Sequence, residues 1–296
     1  MTRRRSLWMA ALTLWLPFAP AAAADGTNVV VAFRIDAAPF SARADDGVYS
    51  GFLASLCEAA VTGAGYTIAE RVPITAADRF DHLDDGAVDL ICDPTTLTRQ
   101  RATAVDFSPI VFIANSGFLE AGTLAELTDD AVARAPDCAA LRRLEPGHKL
   151  FGVGMVGETT ASASFQLARG QGLLADTDAI GYCGIAYPTH DAGVDAICSG
   201  QVSYYFGDVD ILRSQLARRK DCDVSLNGDF RAYEPYALAI PSHDPVFRRK
   251  FIAALYQLFA ETTAQSAYVA AFGEVPMSSA LDMLFRINNV PVGSAN

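Results

Sequence analysis

From Asn28 onward the chain switches again and again between short runs of β-branched and aromatic residues and longer stretches whose apolar positions recur every three or four residues. Strand patterns cover residues 29–35, 66–72 and 88–92, and helical patterns fill the gaps at 51–62 and 76–83. Alternation of this kind specifies a parallel sheet with crossover helices. After an extended run over 109–119, a polar, alanine-rich stretch over 121–148 reads as helix and loop. The pattern then restarts: strands at 150–156, 181–186 and 202–206, a helix from 159 and another over 191–198. That is a second α/β unit. An extended run over 233–240 precedes three helical segments, 244–260, 264–272 and 278–288, which have no sheet partner of their own and are expected to return to the first unit. Two crossings between two α/β lobes leave a cleft at the junction, where such folds bind ligands near strand C-termini and helix N-termini.

The first residues are of another kind. Arg3, Arg4 and Arg5 precede an apolar stretch from Leu7 to Phe18 and a tail ending Ala22-Ala23-Ala24, the layout of a secretory signal cleaved near Ala24. The product is expected to be periplasmic or secreted, beginning at Asp25. No lipobox cysteine follows the apolar stretch, and both tryptophans, Trp8 and Trp15, would leave with it. No later window holds about 18 uninterrupted apolar residues, so no second membrane segment is expected. Loss of the leader leaves 20 basic against 34 acidic side chains, a net charge of −14. Nucleic-acid binding needs clustered Lys and Arg, and no such partner is expected.

Cys57, Cys92, Cys138, Cys183, Cys198 and Cys222 all lie beyond the leader, where oxidising conditions favour disulfides. Their spacing fits neither a CxxC nor a Cys/His zinc site, so neither metal nor cofactor is expected. An even count fits three bridges, and spacing alone does not choose the pairing.

Several segments carry a family pattern. Phe33-Arg34-Ile35-Asp36-Ala37-Ala38-Pro39-Phe40-Ser41 is followed by Gly51-Phe52 and a helix. Val88-Asp89-Leu90-Ile91-Cys92 leads into Thr95-Thr96-Leu97-Thr98-Arg99-Gln100-Arg101 and Val105-Asp106-Phe107-Ser108. Gly157-Glu158-Thr159-Thr160, residues 190–200, Tyr205-Phe206-Gly207-Asp208 and Tyr233-Glu234-Pro235-Tyr236-Ala237-Leu238 continue in register. The chain resembles, over residues 28–290, the extracellular solute-binding proteins of ABC importers that take polar amino acids. In pocket pattern it is most similar to glutamate/aspartate-binding members. The resemblance implies a type 2 periplasmic-binding-protein fold: two lobes, each a mixed sheet flanked by helices, residues 25–114 and 235–296 forming the first and 115–234 the second. It also implies a monomer that captures a small amino acid, closes on it and presents it to a membrane permease, without chemistry of its own.

The resemblance assigns roles residue by residue. Arg101 matches the arginine that grips the α-carboxylate, a task suited to a planar guanidinium fork. Thr96 adds a hydroxyl to the same group. Thr159 and Thr160 lie on the opposite wall, in a strand-to-helix turn with free N–H groups. Asp208 falls on the carboxylate that receives the ammonium, with Asp210 two residues away. Arg34, Arg79 and His190 match positions that read a side-chain carboxylate. Read as ordinary residues instead, Arg34 pairs with Asp36, Arg79 with Asp78 or Asp81, and His190 begins a helix. Phe40 is expected as an apolar wall. Cys57 with Cys92, on the first helix and a neighbouring strand of one lobe, is the first-choice bridge, and the other four cysteines would pair within the second lobe.

The chain departs from the family at Pro94, which lacks an N–H, at Glu158, whose carboxylate either repels an acidic ligand or pairs with Arg34, and near Ala76, where the aromatic clamp is missing. Two other functions fit the scaffold: a dehydratase-like enzyme using Glu158 or His190 as general acid or base, and an accessory module serving a sensor or a periplasmic oxidoreductase.

Overall fold

The computed structural model describes residues 27–174, 179–228, 233–241 and 244–293; the expected leader and its cleavage point lie outside them. Two mixed sheets form the centres of two lobes. In the first, Asn28–Arg34 lies between Thr67–Ile74 and Leu90–Cys92, all parallel, and Ala239–Ile240 then joins Leu90–Cys92 and Asp106–Phe107 with antiparallel pairing. In the second, Ile180–Tyr187, Lys149–Val156 and Tyr204–Asp208 run parallel, and Phe112–Ala121 and Val224–Asn227 complete it antiparallel. Ala239–Ile240 and Phe112–Ala121, the strands reversed against the parallel members of their sheets, are the crossing segments, which enter each sheet from the other lobe. A short three-stranded sheet, Asp36–Ala37, Ser41–Arg43 and Tyr49–Ser50, folds over the first lobe. The sequence pattern missed it because its strands are only two or three residues long.

The strand Phe112–Ala121 belongs to both lobes. Phe112 and Ala114 pack in the first core and Phe118 in the second. Tyr233–Tyr236 pairs with it antiparallel on the way back, so two adjacent strands connect the lobes. The first core is aromatic: Phe52 of the helix Phe52–Gly63 meets Phe112, Phe272 and Phe285, and the helices Pro245–Ala260, Thr263–Phe272 and Ser279–Asn288 close over it. Burying a side chain of this size contributes about 1.5–3 kcal/mol. Gly51 starts the helix at φ 121°, and a Cβ there would stand 2.4 Å from the Phe40 carbonyl oxygen; only glycine fits this approach.

Each lobe is also covalently closed. Cys57–Cys92 ties the first helix to the central strand of the first lobe, as expected, and Cys138–Cys183 and Cys198–Cys222 brace the second. The 121–148 stretch contains helices Asp129–Arg134 and Pro136–Leu144, and Cys138 docks the latter onto the edge strand. Among the described residues no helix is long and apolar enough to cross a membrane.

Candidate functional site

The register of the first sheet builds one wall of the cleft. Phe33 pairs with Cys92 on parallel strands, so the next residues along each chain, Arg34 and Asp93, emerge side by side at the strand ends. Arg34 Nη1 donates to Asp93 Oδ1 at 3.2 Å, and Arg34 Nε donates to Asp36. Arg79, first residue of the helix Arg79–Asp84, places Nε 3.4 Å from the other Asp93 oxygen. Asp93 thus stands between two guanidiniums, with all three side chains buried. Arg101 opens a short 3-10 turn, Arg101–Thr103, held by Thr98 Oγ1 accepting its N–H at 3.1 Å; its Nη1 donates to the Thr96 carbonyl at 2.9 Å. The sequence thus brings Arg34, Arg79 and Arg101 to one spot from three separate elements.

Electrostatics follow from this packing. Burial works against the charge of Arg34, but Asp93 and Asp36 hold its pKa above the ordinary value. Arg79 is brought down to about 10, first by burial and then by the like charges of Arg101 and Arg34, with Asp93 opposing. Asp93 and Asp36 face Arg34 and Arg79, which leaves Arg101 without a carboxylate in an ion pair among the described residues. Arg34 Nη2 and Arg79 Nε have no hydrogen-bond partner among the described residues, and a buried donor left so costs about 1–3 kcal/mol.

The facing wall comes from the second lobe. Gly157 to Thr160 turn from the strand Lys149–Val156 into the helix Ala161–Gly170, with Thr160 as N-cap residue and Thr159 Oγ1 donating to the Val156 carbonyl at 2.8 Å. Glu158 sits at φ 55°, a left-handed conformation that costs about 1–2 kcal/mol for a residue with a Cβ. That twist aims its carbonyl across the cleft, where it accepts from Arg79 Nη2 at 2.8 Å and Arg101 Nη2 at 3.1 Å. Glu158 therefore meets the arginines through its backbone, not through an ion pair with Arg34. A second bridge joins the Asp36 carboxylate to the backbone N–H of His190 at 2.8 Å.

His190 begins the helix His190–Cys198, and its Nδ1 lies 3.0 Å from the Tyr205 hydroxyl. Burial lowers its pKa to about 4 despite Asp36, so the ring is neutral at pH 7. Gly193, one turn later, lets that helix press on Tyr205, since a Cβ there would lie 2.0 Å from the ring. Asp208 caps the helix Val209–Ala217: Oδ1 accepts the N–H groups of Asp210 and Ile211 at 2.7 and 3.0 Å, and Oδ2 accepts the Tyr236 hydroxyl at 2.9 Å. Burial, with Asp210 nearby, raises its pKa to about 8. Asp208 lines the cleft, whereas Asp210 turns to Arg213 at 2.8 Å.

Arg34, Arg79, Thr96, Arg101, Thr159, Thr160, His190 and Asp208 all line one cavity of about 40 Å³. Phe40 does not. It is fully buried behind Tyr236, edge-on to Phe112, Tyr236 and Phe272 at 4.8 to 5.5 Å, and so belongs to the core instead of forming an apolar wall. Of the ordinary pairings, Arg34–Asp36 forms, in the interior; Arg79 takes Asp93, while Asp78 accepts from the N–H and hydroxyl of Thr75. Two charged residues of the cavity have no role in the sequence reading. Asp93 was marked only by standing at a strand end beside Pro94, and Glu234 only by being a carboxylate within an extended crossing segment. Outside the small cavity a chamber of about 670 Å³ opens between Phe80 and Thr98 of one lobe and Glu158, Ser162 and Gln166 of the other. Phe80 lies under the guanidiniums of Arg79 and Arg101 at 4.8 and 5.6 Å, a cation–π arrangement.

The fold is shared with solved structures. An ancestral arginine-binding protein bound to glutamine superposes with a TM-score of 0.65 at 20% identity over 84% of this chain and 99% of its own. The arginine-, lysine-, histidine-binding protein ArtJ from Geobacillus stearothermophilus gives 0.63 at 21% identity, covering 86% and 99%. The ancestral amino acid-binding protein AncCDT-1, a precursor of cyclohexadienyl dehydratase, gives 0.61 at 22%, covering 83% and 96%. No curated protein matches the chain by sequence. The model of the bacterial extracellular solute-binding proteins, family 3, matches residues 29–274, and the chain belongs to that family.

Proposed function

We propose that this protein is a periplasmic binding protein that captures a small amino acid with an acidic side chain and delivers it, as a monomer, to the permease of an ABC importer. In this reading Arg101 and Thr96 hold the α-carboxylate, Arg34 and Arg79 meet the side-chain carboxylate, and the turn at Thr159 and Thr160 closes over the ligand from the second lobe. The observation that carries the proposal is the convergence of three arginines, one of them, Arg34, with an unpartnered buried N–H group among the described residues, on a cleft whose opposite wall is a helix N-terminus. Such donors are satisfied by an anion.

Residues of both lobes line the cavity, so in this reading the lobes part to admit the ligand and reclose on it, using the two connecting strands. His190, neutral and held by Tyr205, favours binding over the dehydratase reading, in which it would exchange protons near neutral pH. The test is a thermal-shift screen of the chain lacking residues 1–24 against twenty L-amino acids and small dicarboxylates. Glutamate or aspartate should raise the melting temperature by mass action. A shift with neutral or basic amino acids alone would overturn the acidic assignment, and no shift with any would overturn amino-acid capture.

A further inference from the structure

We infer that Glu234, and not Asp208, is the carboxylate that receives the ligand's ammonium group. The inference rests on the proposed capture of an amino acid and concerns a residue for which the family resemblance supplies no role.

Asp208 is already committed. One oxygen serves two backbone N–H groups of the helix it caps and the other takes the Tyr236 hydroxyl. The residue is 7% exposed. Turning it toward a ligand would uncap a helix and orphan a buried phenol.

Glu234 is placed differently. It lies on Tyr233–Tyr236, one of the two strands that connect the lobes, and its carboxylate lines the cavity. It accepts from three hydroxyls: Thr96 of the first lobe, Thr160 of the second at 2.6 Å, and Ser116 of the neighbouring connecting strand. Hydroxyls are rotors that both donate and accept, so each can turn away at small cost when a better donor arrives. No ion pair holds Glu234 among the described residues. An ammonium supplies three donors and a full charge, and charge-assisted hydrogen bonds are about twice as strong as neutral ones.

Glu234 stands beside the anion site. Arg101 donates to the Thr96 carbonyl while the Thr96 hydroxyl donates to Glu234. One threonine thus touches both the cation and the anion, and both line the same cavity, as the two ends of a zwitterion require. Because Glu234 touches both lobes, the same contact makes closure sensitive to the amino group.

The test is calorimetry on wild type, Glu234→Gln, Glu234→Asp and Asp208→Asn, using the tightest binder among the twenty L-amino acids and the matching acid that lacks the α-amino group. Glu234→Gln, which keeps shape and loses charge, should weaken the amino acid at least about tenfold while moving its des-amino counterpart less than about threefold. Glu234→Asp should retain part of the preference, and Asp208→Asn should bind both within about threefold of wild type. Selective loss of the amino acid in Asp208→Asn would overturn the inference and leave capture standing. Equal loss of both ligands in Glu234→Gln would make Glu234 a closure contact only and overturn it as well. A wild type that binds no amino acid would overturn both the inference and the proposed function.

Discussion

Arg34 and Asp93 form a buried ion pair, Nη1 to Oδ1 at 3.2 Å with side chains 3% and 1% exposed, and Asp93 is shared with Arg79 at 3.4 Å. Removing the shared anion leaves Arg79 without a carboxylate and Arg34 with Asp36 alone, and breaking a buried pair in this way costs about 3–5 kcal/mol. Asp93→Ala should lower the free energy of unfolding by about that amount in urea titrations. Asp93→Ala combined with Arg34→Met should recover part of it, because an apolar pair of similar volume leaves less charge uncompensated. A single variant as stable as wild type would show that the remaining Asp36 suffices.

Arg101 is half-buried, and its guanidinium is held by the Thr96 and Glu158 carbonyls and the face of Phe80 with no carboxylate in an ion pair among the described residues, so its loss should spare the fold and remove binding. Arg101→Ala should weaken the amino acid by at least about 3 kcal/mol, roughly a hundredfold, and Arg101→Lys should recover only part, since an ammonium does not reproduce the planar fork. Calorimetry at wild-type affinity in Arg101→Ala would contradict the carboxylate assignment. The melting temperatures of both variants check that folding is intact.

The Cys57–Cys92 bridge spans 35 residues and joins two fully buried positions. Replacing both with Ala should cost about 2–4 kcal/mol, consistent with the loop it closes, and the loss should equal that produced by reducing only this bridge in the wild-type chain. Unfolding in urea, followed by circular dichroism because both tryptophans lie in the expected leader, measures it.

The long elements were legible because each carries its own period. The strand Asn28–Arg34 is apolar on both faces, as a central parallel strand must be, and the helix Pro245–Ala260 buries Phe247, Phe251, Leu255 and Leu258 along one side. Even the Cys57–Cys92 pairing followed from placing one helix beside one strand. The helix Val209–Ala217 and the strand Val224–Asn227 were not picked out, because both are short and flanked by charged residues. At the site, the positions of the arginines and the local Arg34–Asp36 pair are legible, but the distant partner Asp93 is not. That Arg34 also meets Asp93 depends on the register between strands more than fifty residues apart, and no local pattern encodes that. Phe40 shows the same limit from the other side: the sequence supplies an aromatic near the cleft, and only tertiary packing decides that it turns inward.

Asp208 offers a pH signature for the cleft. Burial lifts its carboxyl from 3.8 in the unfolded chain to about 8 in the folded one. Between those values the folded state holds a proton that the unfolded state has released, so its contribution to stability is full below pH 3.8, declines as pH rises, and is gone above about 8. The slope is about 1.4 kcal/mol per pH unit at most. His190, lowered from 6.5 to about 4, runs the other way: the unfolded chain binds the extra proton there, so stability grows as pH rises from 4 to 6.5. A wild-type profile mixes the two, and comparison with Asp208→Asn separates them, because asparagine keeps the helix cap without titrating. The stability of wild type minus that of Asp208→Asn should fall steadily from pH 5 to pH 8 in urea unfolding. A difference that stays flat over that range would mean that Asp208 is ionised in the folded protein and that Tyr236 and the two capping N–H groups are enough to hold its charge.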